Sequence, residues 1–161
     1  MSKTTNKLLM TFSAFFRNLL KKSDKPLDFP YVVKMGEIHY TEVKDWHWPN
    51  FTPKEIACRG TGLILIDPYS MDCLQFFRKI VSVPVIINSA YRSEAHNRAV
   101  GGAKNSQHRL GKAFDIRITD ALTRQQIHKA AKAAGFRGIG DYGGFVHIDT
   151  RDTPAYWDER K

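Results

Sequence analysis

The sequence predicts one mixed domain of helices and short strands, preceded by a separate amphipathic helix. Helix starts are indicated by two capping boxes, at Thr52 and Thr123, each followed three residues later by Glu or Gln. Strands are indicated by short apolar or alternating runs at 83–88, 116–118 and 145–149. At 161 residues the chain has room for one domain with a hydrophobic core and a short appendage.

The composition is that of a basic globular protein. Hydrophobic residues make up 42% of the chain, which is typical of a packed domain and not of a disordered one. The formal net charge of +9 favours polyanions such as nucleic acid, anionic lipid or bacterial cell-wall polymers. Because the basic residues are scattered and form no recognisable nucleic-acid module, we expect no specific nucleic acid partner. Cys58 and Cys73 have no paired spacing and leave the redox state open.

Residues 7–22 carry the pattern of a basic amphipathic helix, with one apolar stripe and Lys or Arg beside it. The run is too short and too polar to cross a bilayer, and no small-residue cleavage site follows it, so no clear cleavable signal peptide is predicted. The stripe either lies on an anionic membrane surface or packs on the domain or a second copy. The predicted organisation is this helix in 1–25, an extended linker in 26–45 and the main domain in 46–161.

Two further helices and a strand are predicted in the first half of the main domain. The Thr52 capping box begins one helix, and Asp67 caps another whose apolar face includes Tyr69. The compact apolar run 83–88 predicts a buried strand. Residues 94–100 predict a turn of helix.

The second half of the domain is predicted to be a helix followed by a returning strand. The helix begins at Thr123 and ends at Gly135, with His128 off its apolar stripe and therefore expected to be solvated. The segment 138–144 is rich in glycine, and we predict a turn there. The strand 145–149 follows.

Three side chains form a candidate divalent metal site. His108 and Asp115 lie across a short loop in which Gly111 permits the turn, and His147 can join them from the later strand. Two imidazoles and one carboxylate with an open fourth position suit a catalytic zinc, because the open position holds the water to be activated. The strand pattern 116–118 places Asp115 at or just before the start of a strand.

Two other residues are candidates for a role at this site. Arg92 follows the run 83–88, and its planar guanidinium suits a substrate carboxylate, although a salt bridge that holds the next loop is the alternative. Asp149 shares a strand face with His147, because side chains alternate across a strand, and so would lie on the metal side.

Three motifs resemble those of the D-alanyl-D-alanine carboxypeptidase family of zinc peptidases. They are Ser89-x-Tyr91-Arg92-Ser93, Ser106-x-His108-x-x-Gly111-x-Ala113-x-Asp115 and His147-Ile148-Asp149. The resemblance covers roughly residues 50–157, and the middle motif is long with fixed spacing. Within the family the chain looks most like the small single-domain members of bacteriophages and of bacterial cell-wall remodelling.

The resemblance implies an α+β fold, with a small antiparallel sheet flanked by helices and a single Zn²⁺ on the sheet face, as in Hedgehog-type domains and D-Ala-D-Ala peptidases. It implies zinc ligands at His108, Asp115 and His147. Arg92 and Ser106 are implied to contact the substrate.

The implied activity is hydrolysis of an amide bond in peptidoglycan stem peptides or cross-links, by a D,D-carboxypeptidase or an endopeptidase such as a bacteriophage endolysin. The polyanionic cell wall is then the expected partner, with an anionic membrane surface as a second partner of residues 7–22. We expect the protein to stay in the cytoplasm until its release to the periplasm and cell wall, or to travel with a virion. The alternative function is a non-catalytic zinc-containing protein that binds cell wall or docks on a virion or membrane.

One position departs from the family pattern. Several members carry Glu, Asp or His two or three residues before the last ligand as the base, whereas this chain has Phe145 and Gly144 there. Asp149 is the first candidate for the base, and Asp141 is the second. Asp149 could instead orient His147 through the other ring nitrogen.

Overall fold

The structure is a computed structural model, and it describes residues 36–160. In this part of the chain, helices and two small sheets form a mixed α+β fold. The amphipathic helix predicted in 7–22, the predicted segment 1–25 and the first half of the predicted linker, 26–35, lie outside the described residues. None of the helices within 36–160 is both long enough and apolar enough to span a membrane.

The strands of the described part form one small and one larger sheet. β1 (Ile38–His39) pairs with β2 (Leu63–Ile64). The larger sheet contains β3 (Ile87–Ser89), β4 (Ala113–Arg117), β5 (Gly138–Asp141), β6 (Phe145–Asp149) and β7 (Ala155–Asp158). Its order is β3-β4-β6-β5-β7, and all neighbours are antiparallel except β5 and β7. The expected antiparallel sheet therefore carries one parallel edge strand.

The α-helices begin at the predicted caps. They are α1 (Pro53–Ile56), α2 (Pro68–Val81), α3 (Glu94–Ala99) and α4 (Arg124–Ala134), with short 3-10 helices at Tyr40–Glu42 and Gln107–Leu110. Both capping boxes are formed, at α1 and α4, because each threonine side chain and the Glu or Gln three residues later exchange hydrogen bonds with the backbone. Asp67 caps α2 by accepting from the Ser70 N–H at 2.9 Å.

The core lies on the face of the larger sheet that α4 covers. Phe114 from β4 packs edge-on against Phe136, and Phe136 packs edge-on against Phe77 of α2. Val146 and Ile148 of β6 are fully buried. Because side chains alternate along a strand, Asp115 and His147 are on the opposite face from this core.

The structure corrects two strand boundaries. The run 83–88 contributes only its last two residues to β3, and Ile86 is 42% exposed, because β3 is an edge strand that pairs only with β4. β4 begins at Ala113, so Asp115 lies in the middle of the strand and not at its start.

The segment predicted to be a turn at 138–144 is also corrected, because its first four residues form β5. Its glycines make room for side chains from other strands. A Cβ added to Gly138 would collide with the Asp149 carboxylate, and one added to Gly140 would collide with the Trp157 ring. Glycine here reflects close approach of remote groups and not a reversal of the chain.

Two side chains have surroundings that differ from those predicted from helical periodicity. Tyr69 is 40% exposed, although Cys73, Leu74 and Phe77 of the same predicted stripe are buried, so the stripe differs from the prediction at its first residue. His128 is not simply solvated, because its Nε2 lies 2.8 Å from Oδ1 of the buried Asp141. Since β5 was not predicted, this partner was not foreseen.

Candidate metal centre

Three neighbouring elements bring the predicted ligands together. His108 is on the 3-10 helix Gln107–Leu110, Asp115 is in β4, and His147 is in β6. Asp115 and His147 are directly opposite each other in the β4–β6 ladder. The register of two adjacent strands therefore fixes two of the three side chains.

The short helix that carries His108 is held at both ends. Ser106, which is half-buried, caps it by accepting from the His108 N–H at 3.3 Å. Gly111 ends it with a φ of 67°, and a Cβ there would collide with the Leu65 carbonyl oxygen. The predicted glycine turn is thus confirmed. The His108 carbonyl also accepts from the Arg92 N–H at 3.1 Å, which ties the helix to the chain after β3.

The three candidate ligand atoms are close to one another. His108 Nε2 is 3.2 Å from Asp115 Oδ1 and 3.1 Å from His147 Nδ1. His147 Nδ1 is 3.0 Å from Asp115 Oδ1. Ligand atoms bound tetrahedrally at zinc–nitrogen distances would be about 3.3 Å apart. Among the His, Cys, Asp and Glu side chains of the described residues, these three lie close enough together to hold a metal ion.

Hydrogen bonds on the far side of each ligand decide which atom faces the centre. His108 Nδ1 lies 2.6 Å from the Ala90 carbonyl oxygen, so it carries the proton and leaves the lone pair on Nε2. His147 Nε2 lies 2.9 Å from Asp149 Oδ2 and donates to it, which leaves the lone pair on Nδ1. Asp115 Oδ2 accepts from Arg92 Nη2 at 2.6 Å. Three electron pairs therefore converge with no hydrogen between them, which suits a divalent cation.

A second group of side chains contacts His147 on the side away from the other two candidate ligands. Asp149 is fully buried and accepts from Arg151 Nε at 2.8 Å and from Arg151 Nη2 at 2.5 Å. The Arg151 guanidinium carbon lies 4.8 Å from the centroid of the Trp157 ring, and that ring lies 5.2 Å from the His147 ring. The glycines of β5 provide the space for this group.

Sequence reasoning missed Arg151 and Trp157. The signal for Arg151 was present, because 147, 149 and 151 continue the alternation that places side chains on one face of an extended chain. Trp157 had no local signal. It reaches His147 only because β7 pairs with β5, where Gly140 is opposite Trp157 and leaves its ring room.

The charges of the cluster shift the pKa of its acidic groups downward. Burial opposes ionisation of Asp115, but in the metal-free protein the hydrogen bonds that it accepts from His108 and His147 when they are protonated outweigh burial and hold the Asp115 pKa well below its usual range. Burial likewise opposes ionisation of Asp149, and hydrogen bonds with His147 and Arg151 outweigh it, so the Asp149 pKa is also far below normal. Both groups are carboxylates at neutral pH.

The pKa values of the two histidines shift in opposite directions. Burial lowers the pKa of His108 by more than its hydrogen bond with Asp115 raises it. Burial also lowers the pKa of His147, but its hydrogen bonds with Asp115 and Asp149 outweigh burial and raise it. A neutral His108 is the form that a metal ligand requires.

Arg92 lies at the edge of the cluster. Its Nη2 donates to Asp115, and its Nε donates to Ser89 Oγ at 2.8 Å, while the side chain keeps 19% of its surface exposed. The structure therefore shows the salt bridge that was one of the two readings of Arg92. Its partner is a candidate metal ligand and not a group in the following loop.

The two candidates for the base are placed differently. Asp141 accepts from Arg124 Nη1 at 2.6 Å and from Tyr156 Oη at 2.9 Å, on the face that α4 covers, and is not brought to the cluster. Burial opposes its ionisation, but these hydrogen bonds hold its pKa below the usual range. Asp149 is brought to the cluster, but it contacts His147 at the ring nitrogen that points away from Asp115.

Comparison with known proteins identifies a family. A family model described as Peptidase M15 matches residues 49–149, which is more than half of the chain. The matched range contains His108, Asp115 and His147 and ends at Asp149. No curated protein sequence matches the chain.

Proposed function

The chain belongs to the peptidase M15 family, and we propose that it is a zinc-dependent peptidase that hydrolyses an amide bond in peptidoglycan stem peptides or cross-links. M15 peptidases are zinc-dependent, and the family includes D-Ala-D-Ala carboxypeptidases. The observation that carries the proposal is the convergence of three lone pairs, from His108, Asp115 and His147, in a buried site.

These three side chains would hold the zinc. Zinc bound there supplies a Lewis acid for the scissile carbonyl and a water whose pKa falls from roughly 16 to about 7. The protein's own part is to hold two imidazole nitrogens and an ionised carboxylate in a fixed arrangement around the site. The ladder pair of β4 and β6 and the capped helix of His108 provide that arrangement.

We assign Asp149 a positioning role through His147. Its Oδ2 accepts the proton of Nε2, which selects the tautomer with a lone pair on Nδ1. Arg151 keeps this carboxylate ionised and oriented. A residue with no exposed surface, engaged by two partners, is poorly placed to exchange a proton with a substrate, so this role takes precedence over that of the base.

Arg92 and Ser106 would contact the substrate at the rim of the site. Within the described residues Arg92 uses Nε and Nη2, and its partly exposed guanidinium retains Nη1 for a carboxylate or carbonyl oxygen of the substrate. The Ser106 oxygen accepts from the backbone of its own helix, so its O–H remains to donate. The substrate class is supported by the family and by the net charge of +9, which favours a polyanionic wall.

The test is product analysis on defined muropeptides by mass spectrometry, with and without a chelator. We expect a mass change of one hydrolysed amide bond, lost with the chelator and restored by zinc. The His108→Ala variant should be inactive, whereas His39→Ala should cleave normally, because His39 bonds to Thr41 and belongs to no metal cluster of the described chain. Cleavage that persists in His108→Ala would contradict the proposal.

A further inference from the structure

A cleft lies between α4 and strands β5 and β7, on the side of the sheet away from the metal cluster. Its volume is about 690 Å³, which is within the range of small-ligand sites. The lining residues that matter here are His128, Lys132, Phe136, Arg137, Ile139 and Tyr156. We refer to it as the α4–β7 cleft.

The floor of the α4–β7 cleft is apolar and rigid. Phe136 and Ile139 are each 3% exposed. Phe136 packs edge-on against two core rings, those of Phe77 and Phe114, so it cannot move without disturbing the core.

Tyr156 presents a fixed aromatic ring at the opening of the cleft. Its hydroxyl donates to Asp141 at 2.9 Å, yet the residue is 62% exposed. Its ring also meets His128 edge-on, with the centroids 5.9 Å apart. An exposed ring that is anchored at its hydroxyl can stack against the C–H face of a sugar, because the ring face is negative and those hydrogens are weakly positive.

The cleft carries positive charge that no described carboxylate neutralises. Lys132 and Arg137 are exposed, and neither forms a salt bridge within residues 36–160. Asp141, the acidic residue next to this side of the sheet, is already engaged by Arg124 and His128. The two cations are therefore available to an anionic ligand.

We propose that the α4–β7 cleft binds an anionic glycan strand, with a sugar ring on Tyr156 and carboxylates of the strand on Lys132 and Arg137. The inference rests on the proposed function, because it makes the strand a part of the peptidoglycan that the metal site would cut. A second contact on one polymer raises the effective concentration of its amide bonds at the metal site.

The experiment measures binding of soluble, un-cross-linked peptidoglycan strands in the presence of a chelator, so that no bond is cut. The double variant Lys132→Gln/Arg137→Gln should bind about tenfold more weakly, since two exposed ion pairs together supply about that factor. The matched control Lys79→Gln/Lys129→Gln removes two exposed lysines outside the cleft and should bind within about twofold of the native protein. Equal losses in both double variants, or none in the first, would overturn the proposal.

Variants of Tyr156 test the sugar contact, and two other polymers test which chemical features of the strand are recognised. Tyr156→Phe keeps the ring but loses its anchor on Asp141, so it should bind strands less tightly than the native protein and more tightly than Tyr156→Ala, with melting curves showing that both variants fold. Chitin oligosaccharides have a sugar backbone without carboxylates and should bind more weakly than the strands. Polyglycerol phosphate that binds as tightly as the strands would mean a general attraction to polyanions and would refute the glycan site.

The two proposals can fail separately. If the native protein binds strands through the cleft but cleaves no defined muropeptide, the proposed function is wrong and the glycan site stands. If it cleaves muropeptides while the cleft variants bind strands like the native protein, the glycan site is wrong and the proposed function stands.

Discussion

At the scale of single residues, the candidate metal centre depends on which nitrogen each histidine presents to the other ligands. The Ala90 carbonyl decides this for His108, and the Asp149 carboxylate decides it for His147. The group that orients His108 is a backbone carbonyl, whereas the group that orients His147 is a buried carboxylate, which itself needs a charged partner. Arg151 is that partner, so a residue without a metal-ligand atom in the cluster controls the geometry of one ligand.

We predict that Arg151→Gln weakens zinc binding about 10- to 100-fold, because Asp149 loses the partner that orients it towards His147. The loss of the Arg151 charge beside this buried carboxylate, which keeps only its bond to His147, should also cost about 2 kcal/mol of unfolding free energy. Zinc affinity is measured by competition with a chromophoric chelator, and stability by urea unfolding of the metal-free protein.

The chain contains a matched control for this variant. Arg160 binds Asp158 two residues before it, with Nε and Nη2 distances of 2.8 and 2.5 Å, as Arg151 binds Asp149. Asp158 is exposed, however, and does not contact His147. Arg160→Gln should leave zinc affinity and stability nearly unchanged. Equal zinc affinity in the two variants would refute the role given to Arg151.

The candidate metal ligands could be picked out in the sequence, whereas the residues that support them could not. His108, Gly111 and Asp115 lie in one continuous motif, and His147 is recognisable from its own short motif. The contact of Trp157 with His147 arises from strand pairing between distant segments. No local pattern around Trp157 encodes that pairing.

At the scale of elements, β5 is a strand with almost no side chains on its metal face. Gly138 and Gly140 leave the space that the Asp149–Arg151 pair and the Trp157 ring occupy. In the sequence the same glycines predict a turn, since glycine usually marks a reversal or break of the chain. Glycine content is therefore a poor guide to secondary structure in a strand whose glycines make room for side chains of neighbouring strands.

We predict that Gly140→Ala destabilises the protein by about 2 kcal/mol, because the new Cβ forces the Trp157 ring away from its place beside His147. Gly143→Ala is the control, since a Cβ there meets nothing within 4 Å. Urea unfolding compares the two variants with the native protein. A Gly140→Ala protein as stable as Gly143→Ala would show that the ring is not packed as described.

Asp141 connects three elements, because this residue of β5 bonds to Arg124 and His128 of α4 and to Tyr156 of β7. Its pKa is lowered in the folded protein, so its contribution is complete above the unfolded value of about 4 and is lost as the pH falls through the lower folded value. We predict that Asp141→Asn costs about 3 kcal/mol at pH 7.

The stability difference between Asp141→Asn and the native protein should therefore shrink below about pH 4. Denaturant unfolding at a series of pH values measures it. Asp152→Asn is a suitable control, because this exposed residue forms no salt bridge in the described chain and should show a small difference throughout. A constant difference for Asp141→Asn from pH 7 to the acid limit would contradict the assigned ionisation.

At the scale of the whole molecule, the sheet separates two kinds of surface. One face carries the metal cluster with Arg92 at its edge, and the other is covered by α4, beside which the α4–β7 cleft opens. The mixed fold class and the helix starts could be predicted, because caps and periodicity are local. The parallel edge strand β7 could not, because it pairs with β5, a strand whose glycine-rich sequence predicts a turn.

The most direct test of the account is the zinc content of the purified protein after equilibration with zinc and removal of excess metal. We expect one zinc per chain in the native protein and in His39→Ala, and almost none in His108→Ala or His147→Ala. A native protein that retains no zinc, or a His108→Ala protein that retains one zinc per chain, would contradict the central claim that His108, Asp115 and His147 form the metal centre.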